Sequence, residues 1–380
     1  MKRFLVVLLV LAIAGGLFAQ EISFGGGTRG GVDLVAGDND DANDLWVDGA
    51  QQWIRLEASA ENADGTFGGW TRLEGSGWGG GVSYFGLAWW KPIDQFKLQI
   101  GANPDGHFGF DGYGRWMFTQ IGGDMNITPE DWTLYGQAFF GGVGSFGMYM
   151  YITPVDGLEI NLQVPFASGD SFKNAYLSLT AQVGYTITDI GKIGLTFQGG
   201  GEDPLYDDAS GDFSAHKLWL GFDLQAIDNL NLMISAGFAL PVDEVSNPNG
   251  KYTPPLSVGV AAQYAAGSFG VRARLMAQFM GKYDDGAVVY KEGTGIWAEV
   301  MPFFDLNDNF RVYFDAGLGM GLVDGLDGAI LGFHITPWLT YSIGNGTFGA
   351  GVRIESGIHH KDWGDRVIGW RVPISISYSF

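Results

Sequence analysis

Arg55, Glu57, Arg72 and Glu74 form the densest group of charges that strand alternation would place on one side of a hairpin. A turn centred on Ala63-Asp64 sets Arg55 opposite Arg72 and Glu57 opposite Trp70, with Glu74 next along. Two arginines directly opposite repel. The expected contacts are therefore diagonal, Arg55 to Glu74 and Arg72 to Glu57. The same phase along other segments carries Lys97, Asp223, Arg272, Arg274, Glu299, Arg311, Asp315, Arg353, Glu355 and Arg371. Acidic and basic groups facing each other across water create a transverse field that orients water and small polar solutes, and rings of charge set ion preference. Singly, each of these residues reads as an ordinary solvated side chain; collectively they define a wet, charged surface.

Catalytic constellations are weak by comparison. His107, His216, His334, His359 and His360 are the only histidines, and no cysteine exists to serve as nucleophile or thiolate ligand. His359-His360 sit in a loop segment near Asp362, where spacing fixes no third metal ligand. His334 lies between Gly332 and Thr336 on a side shared with the charges above, without a nucleophile motif around it. The run Asp38-Asn39-Asp40-Asp41-Ala42-Asn43-Asp44 lacks the glycine and the distal glutamate of a helical calcium loop. The expectation is a protein that is not an enzyme and that carries neither cofactor nor metal.

These residues sit in a chain of unusual make-up. Of 380 residues, 62 are Gly and 55 are Phe, Tyr or Trp, while only 17% are charged. The chain is thus richer in Gly and poorer in charge than an ordinary soluble domain. With 21 basic against 42 acidic residues it has no nucleic-acid footprint. At the N-terminus, Lys2 and Arg3 precede the apolar run Phe4–Ile13 and the small residues Ala14, Gly15, Gly16 and Ala19, the pattern of an export leader cleaved after residue 19. Its removal leaves 19 basic against 42 acidic residues, a net charge of −23. Residues 20–380 show no composition shift and are expected to form one domain.

That domain alternates with period 2. Leu158, Ile160, Leu162, Val164 and Phe166 interleave with Glu159, Asn161, Gln163 and Pro165; Leu218 to Leu224 and Phe310 to Leu318 repeat the pattern. Nine short turns punctuate the strands, at 63–65, 91–95, 128–131, 153–157, 188–191, 227–229, 266–268, 305–309 and 344–346, while longer acidic or Gly-rich connections separate them at 37–49, 202–214, 241–254 and 281–292. Short turns on one rim and long loops on the other predict a single antiparallel all-β transmembrane barrel. Nine hairpins plus a first strand near 22–36 and a last near 367–380 give 20 strands. A merged pair or a first segment lying in the lumen gives 18, so the expectation is about 18–20.

The last strand is the most specific signal. Trp370, Val372, Ile374, Ile376, Tyr378 and Phe380 share one face, and Arg371, Pro373, Ser375, Ser377 and Ser379 share the other. This resembles the C-terminal signature of bacterial outer-membrane β-barrels, porins in general. The resemblance implies export to the bacterial outer membrane, recognition of the last strand by the barrel assembly machinery, and contact with lipid and a lipopolysaccharide-type surface. It also implies a water-filled channel for small hydrophilic solutes, with short turns at the periplasmic rim and acidic loops outside. Oligomeric state stays open, a trimer included.

Trp46, Trp89, Trp90, Trp132, Trp338, Trp363 and Trp370 lie near turns or loop ends and suit a membrane-interface belt, whereas Trp70, Trp219 and Trp297 fall on the inward phase. Three functions follow. A diffusion porin that prefers cations leads. A substrate-specific, saccharide-type channel and a surface structural or adhesive barrel without an open pore are the alternatives.

Overall fold

The computed structural model describes residues 21–38, 46–76, 82–102, 146–165, 179–199, 215–241, 256–280, 283–284, 289–290, 293–323, 330–356 and 368–380. The expected leader, most of the long connections, the turn at 128–131 and residues His107, His359, His360, Trp132 and Trp363 lie outside these.

Eighteen strands follow one another: β1 (Glu21–Asp38), β2 (Trp46–Glu61), β3 (Phe67–Ser76), β4 (Val82–Ile93), β5 (Phe96–Ala102) and β6 (Phe146–Val155). Next come β7 (Leu158–Pro165), β8 (Thr180–Ile187), β9 (Gly191–Gln198), β10 (Ala215–Ile227), β11 (Leu230–Pro241) and β12 (Leu256–Ala266). The circuit ends with β13 (Phe269–Met280), β14 (Gly293–Asp305), β15 (Phe310–Val323), β16 (Ile330–Ile343), β17 (Gly346–Gly351 with Arg353–Ser356) and β18 (Ile368–Ser379). A two-residue ribbon pairs Tyr283–Asp284 with Val289–Tyr290. Every strand is antiparallel to the strand that follows it, and β18 closes on β1, so the sheet is a barrel without edges.

Eighteen strands fall within the expected 18–20, and one pairing selects the lower number. β5 bonds directly to β6, with Phe96 opposite Ile152 and Ala102 opposite Phe146. No strand pair enters the described wall between them, and the expected turn at 128–131 lies outside the described residues. Eight hairpins remain, plus the first and last strands.

β17 is one strand despite the interruption at Val352. The Val352 N–H still donates to Pro337 O at 3.1 Å. Pro337 and Pro373 flank this level on the neighbouring strands and supply no N–H of their own.

Turn chemistry fixes the rim. Asp189 (φ 61°) and Asn229 (φ 64°) take the left-handed conformation that short polar side chains tolerate, and Gly65, Gly157, Gly267 and Gly344 do so at equivalent places.

The alternation sorts side chains into two environments. Leu220, Ile234, Leu275, Leu318 and Leu331 are exposed on the outside, where lipid would cover them. Gln163, Gln182, Thr196, Asp315, Thr336 and Arg353 are buried on the inside. This is the inverse of a soluble core, and it bears out the inside–outside phase read from the sequence.

The seam between first and last strands has its own packing. Gly26 and Phe380 exchange two backbone hydrogen bonds of 3.0 Å. A Cβ on Gly26 would lie 2.4 Å from Arg55 O and 2.8 Å from the Phe380 ring. Glycine there lets the terminal ring lie flat on the first strand. The glycines that blur the alternation of β1 are therefore part of its closure.

Candidate functional site: the inner wall

The hairpin of β2 and β3 holds the densest sequence-derived charge cluster, in a corrected register. Arg55 lies directly opposite Glu74 and Glu57 directly opposite Arg72, where the sequence reading had set arginine against arginine. The cause is the turn. Asn62 Oδ1 accepts from Phe67 N at 2.9 Å, and Asp64 Oδ1 accepts from Thr66 N at 3.1 Å, so the loop closes at Asn62 and Phe67 around four residues. A displacement of two positions keeps each residue on its face and changes only its partner. The expected ion pairs form in consequence, side by side instead of diagonally. Arg55 Nη2 reaches Glu74 Oε2 at 2.9 Å, and Arg72 Nε donates to Glu57 Oε1 at 2.6 Å. Arg72 is nearly buried, its guanidinium 4.8 Å from the Trp70 ring centre.

A second, longer charged wall runs across β13 to β18. Arg274 (β13) donates through Nε and Nη2 to Glu299 Oε2 (β14) at 2.8 and 2.5 Å. Asp315 (β15) accepts or shares a hydrogen bond with His334 Nε2 (β16) at 2.9 Å. Glu355 (β17) takes Arg353 Nε at 2.6 Å and Arg371 Nη2 (β18) at 2.8 Å. Arg353 is only 1% exposed, so its charge depends on these partners. Below this row, Arg311 Nε binds Asp305 Oδ1 at 2.5 Å and stands 4.7 Å over the Phe303 ring. Arg272 lies 5.8 Å from the same ring.

The remaining sequence-derived charges stand apart from both groups. Lys97 (β5) lies 5.0 Å above the Trp89 ring. Asp223 (β10) faces Lys192 in register and accepts from Gln225 Nε2 at 2.7 Å, while Lys192 pairs with Glu159 at 2.6 Å.

Two tryptophans are corrected from belt to inner wall. Trp338 shares the inward phase of His334 and Thr336; it is buried against Met301 and Tyr313. Trp89 packs its ring over Gly68 on the strand opposite. Proximity to a turn had outweighed phase in the sequence reading. Trp90 does lie outside, stacked on Phe67 at 6.3 Å, as Tyr378 stacks on Phe380 at 6.4 Å.

An uncharged wall was not singled out from the sequence. Gln99, Tyr149, Gln163 and Thr180 are cross-strand neighbours on β5 to β8, and Asn161, Gln182 and Thr196 on β7 to β9. All are buried. Asn161 Nδ2 donates to Gln182 Oε1 at 3.3 Å, and Gln182 Nε2 to Thr196 Oγ1 at 3.0 Å. The signal was present as polar residues alternating with apolar ones; charge drew attention elsewhere.

A closed 18-stranded antiparallel barrel with a polar interior is the architecture of an outer-membrane porin. Known structures share it over nearly the whole chain. Pseudomonas aeruginosa OccK2 (OpdF), in complex with glucuronate, matches with a TM-score of 0.60 at 10% identity over 96% of this chain and 99% of that one. P. aeruginosa OpdK with vanillate matches with a TM-score of 0.60 at 9% identity, again over 96% and 99%. Acinetobacter baumannii OccAB4 gives 0.58 at 10% identity over 95% and 98%. At such identities the likeness is one of fold. No family model and no curated protein matches the sequence.

Proposed function

We propose that this chain is an outer-membrane porin whose water-filled lumen passes small hydrophilic solutes by passive diffusion. The observation that carries the reading is the sorting of side chains: apolar residues cover the outside of an 18-stranded ring and polar residues line its inside. Barrels of about 16–18 strands are wide enough to leave an aqueous channel. The net charge of −21 attracts cations to the channel mouth, and salt screens that attraction over a Debye length of about 10 Å at 0.1 M. Conductance of the refolded barrel in planar bilayers tests the reading. Ion conduction with a cation-selective reversal potential that fades as salt rises is the expected result. A folded barrel without conductance overturns the pore, and anion selectivity at low salt overturns the charge argument.

A substrate-specific channel is favoured by a different observation, the arginine-bearing wall on β13 to β18 opposite the amide and hydroxyl wall on β5 to β9. A solute with a carboxylate at one end and hydroxyl groups at the other would find partners on both. The OccK2 and OpdK structures hold glucuronate and vanillate, which have this character. Saturable block of the ion current by glucuronate supports this specific reading, and current indifferent to glucuronate rejects it.

A further inference from the structure

Glu299, Asp315 and His334 come from three consecutive strands and are all buried. One ligand atom from each lies within 4.8 Å of the other two. Asp315 is the carboxylate of this patch without an arginine in ion-pair contact among the described residues. Arg274 serves Glu299, while Arg353 and Arg371 serve Glu355. Asp315 is 4% exposed, and its Oδ1 has no hydrogen-bond partner. Thr336, directly opposite Asp315 in register and 0% exposed, likewise has an unpartnered hydroxyl oxygen. Two buried oxygens without a protein hydrogen-bond partner, beside a carboxylate and an imidazole, offer a cation a set of unfilled acceptors.

We propose that this pocket in the inner wall is a binding site for a divalent transition-metal ion of the Zn2+ type. Imidazole nitrogen and two carboxylates are the donor set such an ion takes in mixed nitrogen and oxygen sites. His334 Nε2 and Asp315 Oδ2 stand 2.9 Å apart. An ion entering between them replaces the proton they share, which leaves to solvent, and widens the gap to roughly 3–3.5 Å, as bonds of about 2.0–2.2 Å require. Arg274 holds Glu299 from one side through Oε2 and so fixes the carboxylate in place, as an outer partner of a metal ligand does. Hard cations such as Mg2+ fit less well, because a buried imidazole replaces an oxygen ligand.

Titration calorimetry of the refolded full chain with ZnCl2 at neutral pH tests the site. Any binding by other surface carboxylates is common to every variant, so the comparison is between variants. Wild-type protein should show one site that His334→Ala and Asp315→Asn each weaken by tenfold or more, with Mg2+ unable to compete at equal concentration. Heat-modifiable mobility confirms that each variant is folded. Should either variant fail to fold, X-ray absorption of the wild type with one equivalent of Zn2+ decides. Imidazole scattering in the first shell supports the site, and an all-oxygen shell overturns it. Equal Zn2+ affinity in wild type and folded variants overturns it as well. Conductance is a separate measurement, so loss of the metal site leaves the pore reading untouched, and the reverse.

Discussion

The inner surface of the barrel has two contrasting walls. β5 to β9 present amides and hydroxyls that reach one another by direct cross-strand neighbours, as in the Asn161, Gln182 and Thr196 row. β13 to β18 present arginines, carboxylates and one histidine joined by short charge-assisted bonds. The centre of one wall is β7 and that of the other lies between β15 and β16, so in a ring of eighteen strands the two walls are almost diametrically opposite. Burial is similar on both sides, but the consequence of losing a partner is not. An amide without its neighbour forfeits one neutral hydrogen bond, while a carboxylate without its arginine is a charge with nothing to balance it. The charged wall is therefore the more rigidly specified of the two.

Breaking a buried ion pair should give the largest effect. Arg353→Met leaves Glu355 with Arg371 alone and should destabilise the barrel by about 3–5 kcal/mol in denaturant unfolding from lipid vesicles. A loss under 1 kcal/mol would mean that water already solvates this wall. On the outer face the contrast should vanish. Leu318→Arg behind the charged wall and Val183→Arg behind the amide wall both point outward, and each should cost about 2–4 kcal/mol at mid-bilayer. Unequal costs would indicate that one of these faces meets protein instead of lipid. On the neutral wall, Gln182→Ala removes hydrogen bonds to Asn161 and Thr196 and should cost about 1–3 kcal/mol by the same unfolding assay.

Selectivity sharpens the comparison further. Replacing both Glu57 and Glu74 by Gln should reduce cation preference in a salt gradient, and replacing Arg55 and Arg72 should increase it. Opposite shifts, or none, would place the selective region away from β2 and β3. The smallest effect belongs to the rim. Hydrogen bonds from Thr66, side chain first and then backbone, hold the Asp64 carboxyl below its usual value of 3.8. Because the folded value is the lower one, the stabilisation is fully present above the unfolded value and is lost as pH falls through the folded one. The melting difference between wild type and Asp64→Asn should accordingly shrink in acid and stay constant above pH of about 5. A difference that persists at low pH would assign the turn's stability to Asn62 and Gly65.

The fold class was readable because one signal, period-2 alternation, repeats along the whole chain, and the in-phase residues from Trp370 to Phe380 tie it to a membrane barrel. Strand number and register were harder. Both depend on loops, and loops are set by side-chain hydrogen bonds such as those of Asn62 and Asp64, which composition does not reveal. The two inward tryptophans show the same lesson at smaller scale, since position along a strand is a weaker guide than phase. The Glu299, Asp315 and His334 cluster was not legible because its members lie on three successive strands, with no local motif joining them. Only the β14 to β16 register brings them together.

The closing seam has a kinetic meaning. Among the eighteen strands, all neighbours are consecutive in the chain except β1 and β18, which join Gly27 to Ser379. Local hairpins can form in any order at small entropic cost, whereas this last ladder must find a partner hundreds of residues away. Until it does, the sheet is an open ribbon with two unsatisfied edges, able to accept a strand from another chain. The Phe380 ring lying on Gly26 is then the latch of the folding reaction: it marks the moment when the ribbon becomes a cylinder and stops being a template for aggregation.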